Sequence, residues 1–341
     1  MASAAQRRIK AISYAKYGYM FIAPFFLVYC FFQIWPLIYT FILSFKGNQS
    51  AYNDFVGMEN YTTILFGKGT AAGAVATQQE FLKALGNTFI LWFGNFIPQI
   101  LLSLLLAVWF TDAKVKLPGK GFFKVVMYMP NIITAASVAA LYVNLFGDSK
   151  YYFINATLMK LGMAEPIPFI AGPVASKIMV MYIQTWLWFG NTMIMLMSGI
   201  MGINPSLFEA ADIDGANSTQ QFFKITLPLL QPIMVYTLVT SMIGGLQMFD
   251  LPYLYHNGAN FSRNLETVAV YIYYSFNKGT VEQASYGYAG AASIIIFIIT
   301  AILGSITFYM NRDKDAIAKK KQRKKAEKQY KAKMKQGGLS L

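Results

Sequence analysis

The sequence predicts an all-α integral membrane protein. Of its 341 residues, 56% are hydrophobic and 13% are charged, whereas about 25% of the residues of an ordinary soluble domain are charged. Six apolar runs are long enough to cross a bilayer core as helices of about 20 residues. They lie near residues 19–45, 87–110, 122–146, 178–201, 229–253 and 289–310.

The first run is predicted to be a retained span and not a cleaved signal peptide. Basic residues precede it, as they would precede a signal peptide. The run 19–45 is longer than the 7 to 15 residues of a signal-peptide core, however, and Pro24, Gln33 and Pro36 interrupt it. It also lacks a small-residue cleavage site at its end, so we expect it to stay in the membrane.

Lysine and arginine counts predict that both termini are cytoplasmic. The N-terminal segment, the second and fourth connections and the tail together carry 21 of these residues, against 8 in the other three connections. Basic residues accumulate on the cytoplasmic side of membrane proteins. The chain then divides into a cytoplasmic N-terminal segment 1–18, a six-span domain 19–310 and a basic cytoplasmic tail 311–341.

The tail accounts for most of the formal net charge of +14. Juxtamembrane basic clusters adhere to anionic lipid, and aromatic residues that could stack on bases are limited to Tyr330. We therefore predict that the tail anchors the topology or lies on the lipid surface, and that it does not bind nucleic acid.

Only one cysteine, Cys30, and one histidine, His256, occur in the chain. Cys30 lies within the first run, so the chain can form neither an internal disulfide nor a cysteine metal site. A single histidine excludes a multi-histidine metal site. A membrane enzyme would be hard to assemble from this set, and we predict no catalytic residues and no metal site.

The segment EAADIDGANSTQQFFKITLP, residues 209–228, is a polar interruption between the fourth and fifth runs. Asn204 and Pro205 can start a helix, and Gly215 suits a left-handed helix end. Ser218 and Gln221 have the spacing of a capping box for a second short helix. Acidic residues outnumber basic ones here, which favours a protein partner over anionic lipid.

The same segment carries a longer pattern: E-A-A, three residues, G, nine residues, I-x-L-P. It resembles the signature of permease subunits of binding-protein-dependent ABC importers, and FFKITLPLLQP is similar to the carbohydrate branch of the maltose and multiple-sugar type. PFF and WPL in the first run, MPNIIT in the third and QTWLWFG in the fourth add to the likeness. The resemblance implies a type I importer permease fold in a bacterial inner membrane.

The resemblance also implies partners and roles. Loop 203–228 would couple the spans to a separate ATPase through Glu209, Ala210, Ala211, Gly215, Ile225, Leu227 and Pro228. A second homologous permease, two ATPase subunits and an extracytoplasmic sugar-binding protein would complete the transporter. Gly67-Lys68-Gly69-Thr70 lacks the spacing of a phosphate-binding loop. We therefore expect ATP and Mg²⁺ to bind the partner ATPase, and this chain to bind no cofactor.

Polar and aromatic residues inside the fourth and fifth spans are candidates for the solute pathway, because such groups are costly in a membrane and tend to face a cavity. The candidates are Gln184, Trp186, Trp188, Asn191, Gln247, Asp250 and Tyr253. Gln184, Trp188 and Asn191 follow one another at spacings of four and three, so they share a helix face. Interfacial aromatic residues and amides that join helices are the alternative for each of them.

An ion-coupled secondary carrier is the alternative function. Such carriers place ionisable residues in mid-span, whereas these spans contain essentially none apart from Asp250 near the end of the fifth. The sequence therefore favours an ATP-driven importer of a sugar or oligosaccharide.

Overall fold

The computed structural model describes residues 15–47, 54–69, 73–112, 118–256, 263–277, 285–310, 322–324 and 326–327. Most of the predicted N-terminal segment and basic tail therefore lies outside the described residues, as do Lys114, Lys116 and Thr70. The described part is helical, with an isolated bridge between Lys46 and Phe55.

The helices of the described residues follow one another along the chain. In order they are α1 (Ala15–Tyr29), α2 (Trp35–Leu43), α3 (Glu59–Phe66), α4 (Ala74–Thr111), α5 (Lys120–Tyr128), α6 (Ala135–Leu145), α7 (Phe153–Lys160), α8 (Ala175–Met201), α9 (Ser206–Ile213), α10 (Ser218–Gln221), α11 (Leu227–Leu229), α12 (Gln231–Leu246), α13 (Asp250–Leu254), α14 (Val268–Asn277) and α15 (Tyr286–Met310).

Among the described residues, four helical segments are long and apolar enough to cross a membrane. They are Tyr17–Leu43, Ala74–Thr111, Gln231–Leu254 and Tyr286–Met310. The bent pairs α5–α6 and α8–α9 raise the total to six if each pair is one span. Every predicted apolar run lies on one of these helices. The number of spans and the side of the termini stay predictions.

The third apolar run, 122–146, differs from the single continuous helix that its hydropathy predicts. After α5 the chain makes a 3₁₀ turn at Met129–Ile132, and α6 then departs at 92°. Pro130 cannot donate a helical hydrogen bond, and Ile133 is extended at ψ 136°. The Thr134 side chain accepts from the Ser137 backbone N–H at 3.3 Å and caps α6. Proline and cap together break the run.

Two wide helical turns precede prolines in the same register. Cys30–Ile34 is a π turn two residues before Pro36, and Phe222–Thr226 is a π turn two residues before Pro228. In each, the residue before the proline donates to the carbonyl five residues back. A proline cannot donate, and its ring crowds the carbonyl four residues back. The π turn shifts the hydrogen bonding from four to five residues back, so the helix continues past the proline.

Contacts divide the chain into two units. The first comprises residues 1–85 and 268–297. There the Asn60 amide donates to the backbone carbonyls of Ser44 and Lys46 at 2.9 and 2.7 Å, and Phe81 meets Tyr271 edge-on. The buried Asn60 side chain thus joins α3 to the residues that follow α2.

The second unit comprises residues 86–267 and 298–341 and contains all of the predicted site residues. Its apolar core forms one cluster that includes Leu91, Val180 and Ile183, and another that includes Phe110, Met193 and Leu196. Helix α8 contributes to both clusters. It therefore has a buried face on which the rest of the unit packs.

Candidate functional site

Loop 203–228 folds as two short helices separated by a glycine turn. The Asn204 side chain accepts from the Ser206 backbone N–H at 3.1 Å where α9 begins. At the other end Gly215 has φ +73°, the left-handed conformation predicted for it. The Ala216 N–H donates to the Ala211 carbonyl at 2.9 Å and the Gly215 N–H to the Asp212 carbonyl at 3.1 Å. These bonds form a Schellman end.

The capping box of α10 lies one residue earlier than predicted. Asn217 accepts from the Gln220 backbone N–H at 2.8 Å, and the Gln220 side chain accepts from the Asn217 N–H at 2.9 Å. The predicted pair of Ser218 and Gln221 is therefore wrong. Gln221 is buried and donates instead to the Asp212 carboxylate at 2.6 Å, a contact across the loop that local spacing does not reveal.

The outer surface of loop 203–228 combines carboxylates with exposed apolar side chains. Glu209, Ala210 and Pro228 are exposed, and Ala211, Ile225 and Leu227 are half-buried. Close by, Ile213 is 87% exposed and Phe223 60% exposed. Exposed large apolar groups beside charges are typical of protein-binding surfaces.

Helix α12 connects loop 203–228 to the interior of the second unit. It begins at Gln231, just after the loop, and its 16 residues extend about 24 Å at 1.5 Å per residue. Gly244, near its far end, lines two adjoining cavities. A displacement of the loop would therefore reach the cavity walls through one helix.

The first cavity, which we name the Gln247 cavity, has a volume of about 360 Å³. It is lined by four of the residues predicted to lie on the solute pathway: Gln184, Trp188, Gln247 and Asp250. Asn131 lines it as well, at the break in the third apolar run. The cavity thus offers amides, one carboxylate and an indole.

The second cavity, the Asn191 cavity, has a volume of about 490 Å³ and shares Gln184 and Trp188 with the first. Asn191 lines it too, so the three residues share a helix face as their spacing predicts. Its other polar lining residues include Asn95, Gln99, Thr192, Thr240 and Ser241, which the sequence analysis missed. Asn95 and Gln99 are polar residues inside the second apolar run, and the rule applied to the fourth and fifth runs would have selected them.

Two of the predicted pathway residues line neither cavity. Trp186 packs against the two apolar clusters and Tyr142. It is two residues from Trp188, about 200° around the helix, and so faces the core. Tyr253 stacks on Phe249 with ring centroids 4.9 Å apart. Their predicted contact with solute stays a prediction.

The wall of the Asn191 cavity is held by hydrogen bonds between α4 and α8. Gln99 donates to the Thr192 hydroxyl at 2.8 Å. One turn further, Ser103 donates to the Phe189 carbonyl at 2.7 Å. One turn of α4 before Gln99, the Thr185 hydroxyl of α8 donates to the Asn95 carbonyl at 3.1 Å. Side-chain hydrogen bonds of this kind join helices in membranes, and here they fix two cavity walls to each other.

Helix α12 lies close to α4 at Gly245, where a Cβ atom would overlap the Trp92 side chain. At the adjacent Gly244 a Cβ would meet no atom within 4 Å. We therefore expect Gly245→Ala to destabilise the packing by about 1–3 kcal/mol, and Gly244→Ala to leave stability unchanged or slightly raised. Thermal denaturation of the two variants in detergent measures this difference. Equal melting temperatures would contradict the close approach.

Comparisons with known proteins agree with this architecture. The model of the family "Binding-protein-dependent transport system inner membrane component" matches residues 69–314. The arabinooligosaccharides transport system permease protein AraP of Bacillus subtilis is 30% identical over 86% of this chain and 88% of its own length. The lactose transport system permease protein LacF of Rhizobium radiobacter is 28% identical over 87% of this chain and 94% of its own.

A solved structure has the same fold. A bacterial ABC transporter involved in the import of the acidic polysaccharide alginate contains a chain that matches with a TM-score of 0.73 and 24% identity. The match covers 89% of this chain and 98% of that one. At this identity the similarity shows that the two chains share a fold.

Proposed function

This chain belongs to the inner membrane components of binding-protein-dependent transport systems, and we propose that it is the permease subunit of an ATP-driven sugar importer. The observation that carries the proposal is that helix α12 connects loop 203–228 to two cavities, both lined by Gln184 and Trp188. The loop would receive motion from an ATPase, and the cavities would hold the solute. Both termini would face the cytoplasm of a bacterial cell.

The cavity chemistry favours a carbohydrate. Sugars present many hydroxyl groups together with an apolar ring face, and they are bound by amide and hydroxyl groups beside an aromatic plane. Gln184 and Trp188 supply that combination in both cavities, and Asn191 adds an amide in the second. The transport of arabinooligosaccharides and of lactose by two similar permeases supports the same class.

Energy conversion would take place on other chains. We propose that two ATPase subunits bind ATP and Mg²⁺, that a second homologous permease completes the pathway, and that an extracytoplasmic binding protein delivers the sugar. Closure of the ATPases would move loop 203–228 and, through α12, open the cavities to the outside. This chain would carry out no covalent chemistry.

Reconstitution tests the proposal directly. The complete complex is placed in sealed vesicles with its binding protein, and uptake of a radiolabelled sugar is followed. The sugar is first identified by thermal-shift screening of the binding protein against a carbohydrate panel. We expect uptake only when ATP is present on the ATPase side. Uptake driven by a proton or sodium gradient without ATPase subunits would identify an ion-coupled carrier instead.

Trp188 provides a test of the pathway inside the same assay. We expect Trp188→Ala to lower sugar affinity during transport by about tenfold, the factor that ~1.4 kcal/mol of lost stacking and burial would give. Trp188→Phe keeps an aromatic face and should lose less. Trp109→Ala makes the same change at an exposed position of α4 that lines neither cavity. It is the matched control and should leave the concentration dependence of uptake unchanged. An unchanged dependence in Trp188→Ala would remove this residue from the pathway.

A further inference from the structure

We infer that a hydrogen bond between Asp212 and Gln221 acts as a clasp that makes loop 203–228 move as one rigid body. The role rests on the proposed function, because it concerns how motion passes from the ATPase to helix α12. The clasp itself is a feature of geometry and can be tested without transport.

The geometry of the clasp is specific. The Gln221 side-chain nitrogen donates to the Asp212 carboxylate at 2.6 Å and also lies 3.3 Å from the Ala216 carbonyl. Two hydrogens on one amide can serve both acceptors. Gln221 is 9% exposed, whereas Ser218, Thr219 and Gln220 before it are all exposed. A buried amide on a mostly exposed loop is therefore held by these two bonds.

The loop needs such a tie because only a glycine turn links α9 to the helical stretch that follows it. The four residues of α10 are the first turn of that stretch, which continues through the π turn Phe222–Thr226 and α11. The Schellman bonds lie within α9 and its turn, and the capping box lies within the start of α10. The contact between Gln221 and Asp212 instead joins α9 to the end of α10, across the glycine turn at Gly215.

The location of Gln221 explains what the clasp would transmit. Gln221 is the last residue of α10 and is followed directly by the π turn Phe222–Thr226, which leads through α11 to α12. Asp212 lies in α9, three residues beyond Glu209. A push on α9 would bend the chain at Gly215 if the two helices were free of each other. With the clasp closed, the same push displaces the start of the path to α12.

Pulsed EPR distance measurement tests the clasp in the assembled complex. The single cysteine is removed as Cys30→Ser, and spin labels are attached at Leu207→Cys in α9 and Thr219→Cys in α10. We expect a narrow distance distribution for the otherwise native loop and a broad one after Gln221→Leu, which keeps the side-chain size and removes both donors. Asp212→Asn retains the accepting oxygen and is the matched control, with a distribution close to native. An equally narrow distribution in Gln221→Leu overturns the clasp.

The coupling role is read from the amount of sugar imported per ATP hydrolysed, a ratio that a smaller yield of complex would not change. We expect Gln221→Leu to lower this ratio by about fivefold. Gln221→Glu should lower it further, because two carboxylates then face each other. Adding Asp212→Asn to Gln221→Glu exchanges donor and acceptor at nearly constant shape and should recover part of the loss.

Each outcome decides one point. A broad distribution with an unchanged ratio overturns the coupling role while the clasp stands. Absence of ATP-driven uptake in the native complex overturns the proposed function, and the EPR result still decides the clasp.

Discussion

Replacement of Gly215 by proline is expected to reduce sugar uptake by about 100-fold or more, while the protein remains in the membrane. Gly215 has φ +73°, whereas proline fixes φ near −65°. Proline would also remove the N–H that donates to the Asp212 carbonyl at 3.1 Å. Together these losses exceed ~3 kcal/mol, so the turn between α9 and α10 cannot form. Uptake into vesicles containing the complete complex measures the loss.

A graded series separates backbone strain from other effects of the substitution. A Cβ atom at Gly215 would meet nothing within 4 Å, so steric clash does not contribute. Asparagine tolerates the left-handed conformation, and Gly215→Asn should retain most uptake. Gly215→Ala should be intermediate, because a left-handed alanine costs about 1–2 kcal/mol. Uptake that does not follow the order Gly, Asn, Ala, Pro would refute the role of the turn.

The sequence predicted Gly215 correctly because its requirement is local. A glycine after an acidic helix and before a capping residue indicates a left-handed turn without knowledge of anything else in the fold. The capping box was displaced by one residue for the opposite reason. Ser218 with Gln221 and Asn217 with Gln220 both fit the local rule. The contact of Gln221 with Asp212 decides between them, and that contact lies nine residues away in sequence.

Hydropathy placed the helices of the membrane domain but did not give their directions. The run 122–146 is apolar throughout, and only the combination of Pro130 with the capping Thr134 turns it by 92°. A proline within an apolar run often bends a helix only slightly, since neighbouring groups can satisfy the freed carbonyl. The sequence therefore contained the breaking residues but not the size of the bend.

The cavity walls were predicted in part, and the difference lies in helix packing. Gln184, Trp188 and Asn191 share a helix face that their spacing in the sequence identifies. Asn95 and Gln99 lie in a run of similar apolarity, and they line a cavity because α4 presents that face to α8. The face of a helix that contacts a neighbour depends on how the two helices pack. The residue pattern of one helix therefore does not predict this face.

Reversal of charge at Glu209 is expected to abolish ATP-driven uptake with little effect on the fold. Glu209 is exposed in the first turn of α9, where a carboxylate interacts favourably with the helix dipole by about 0.3–1 kcal/mol. Loss of that interaction is small beside the stability of the membrane domain. At the proposed interface with the ATPase, a misplaced charge would cost about 2–5 kcal/mol, or roughly 30-fold to several thousand-fold in affinity. We therefore expect Glu209→Lys to release the ATPase subunits during purification.

Two further substitutions identify the cause of that loss. Glu165→Lys changes the net charge equally at an exposed position in the connection before α8, and the ATPase should still co-purify with it. In the proposed complex, a basic residue of the ATPase would face position 209. Replacing that basic residue by an acidic one should restore ATPase binding to the Glu209→Lys variant and should not improve binding to the native permease. Normal co-purification and ATP turnover with Glu209→Lys would mean that the ATPase docks elsewhere. The EAA pattern, the exposed carboxylate and the neighbouring apolar side chains Ile213 and Phe223 would then belong to a different partner of the same loop.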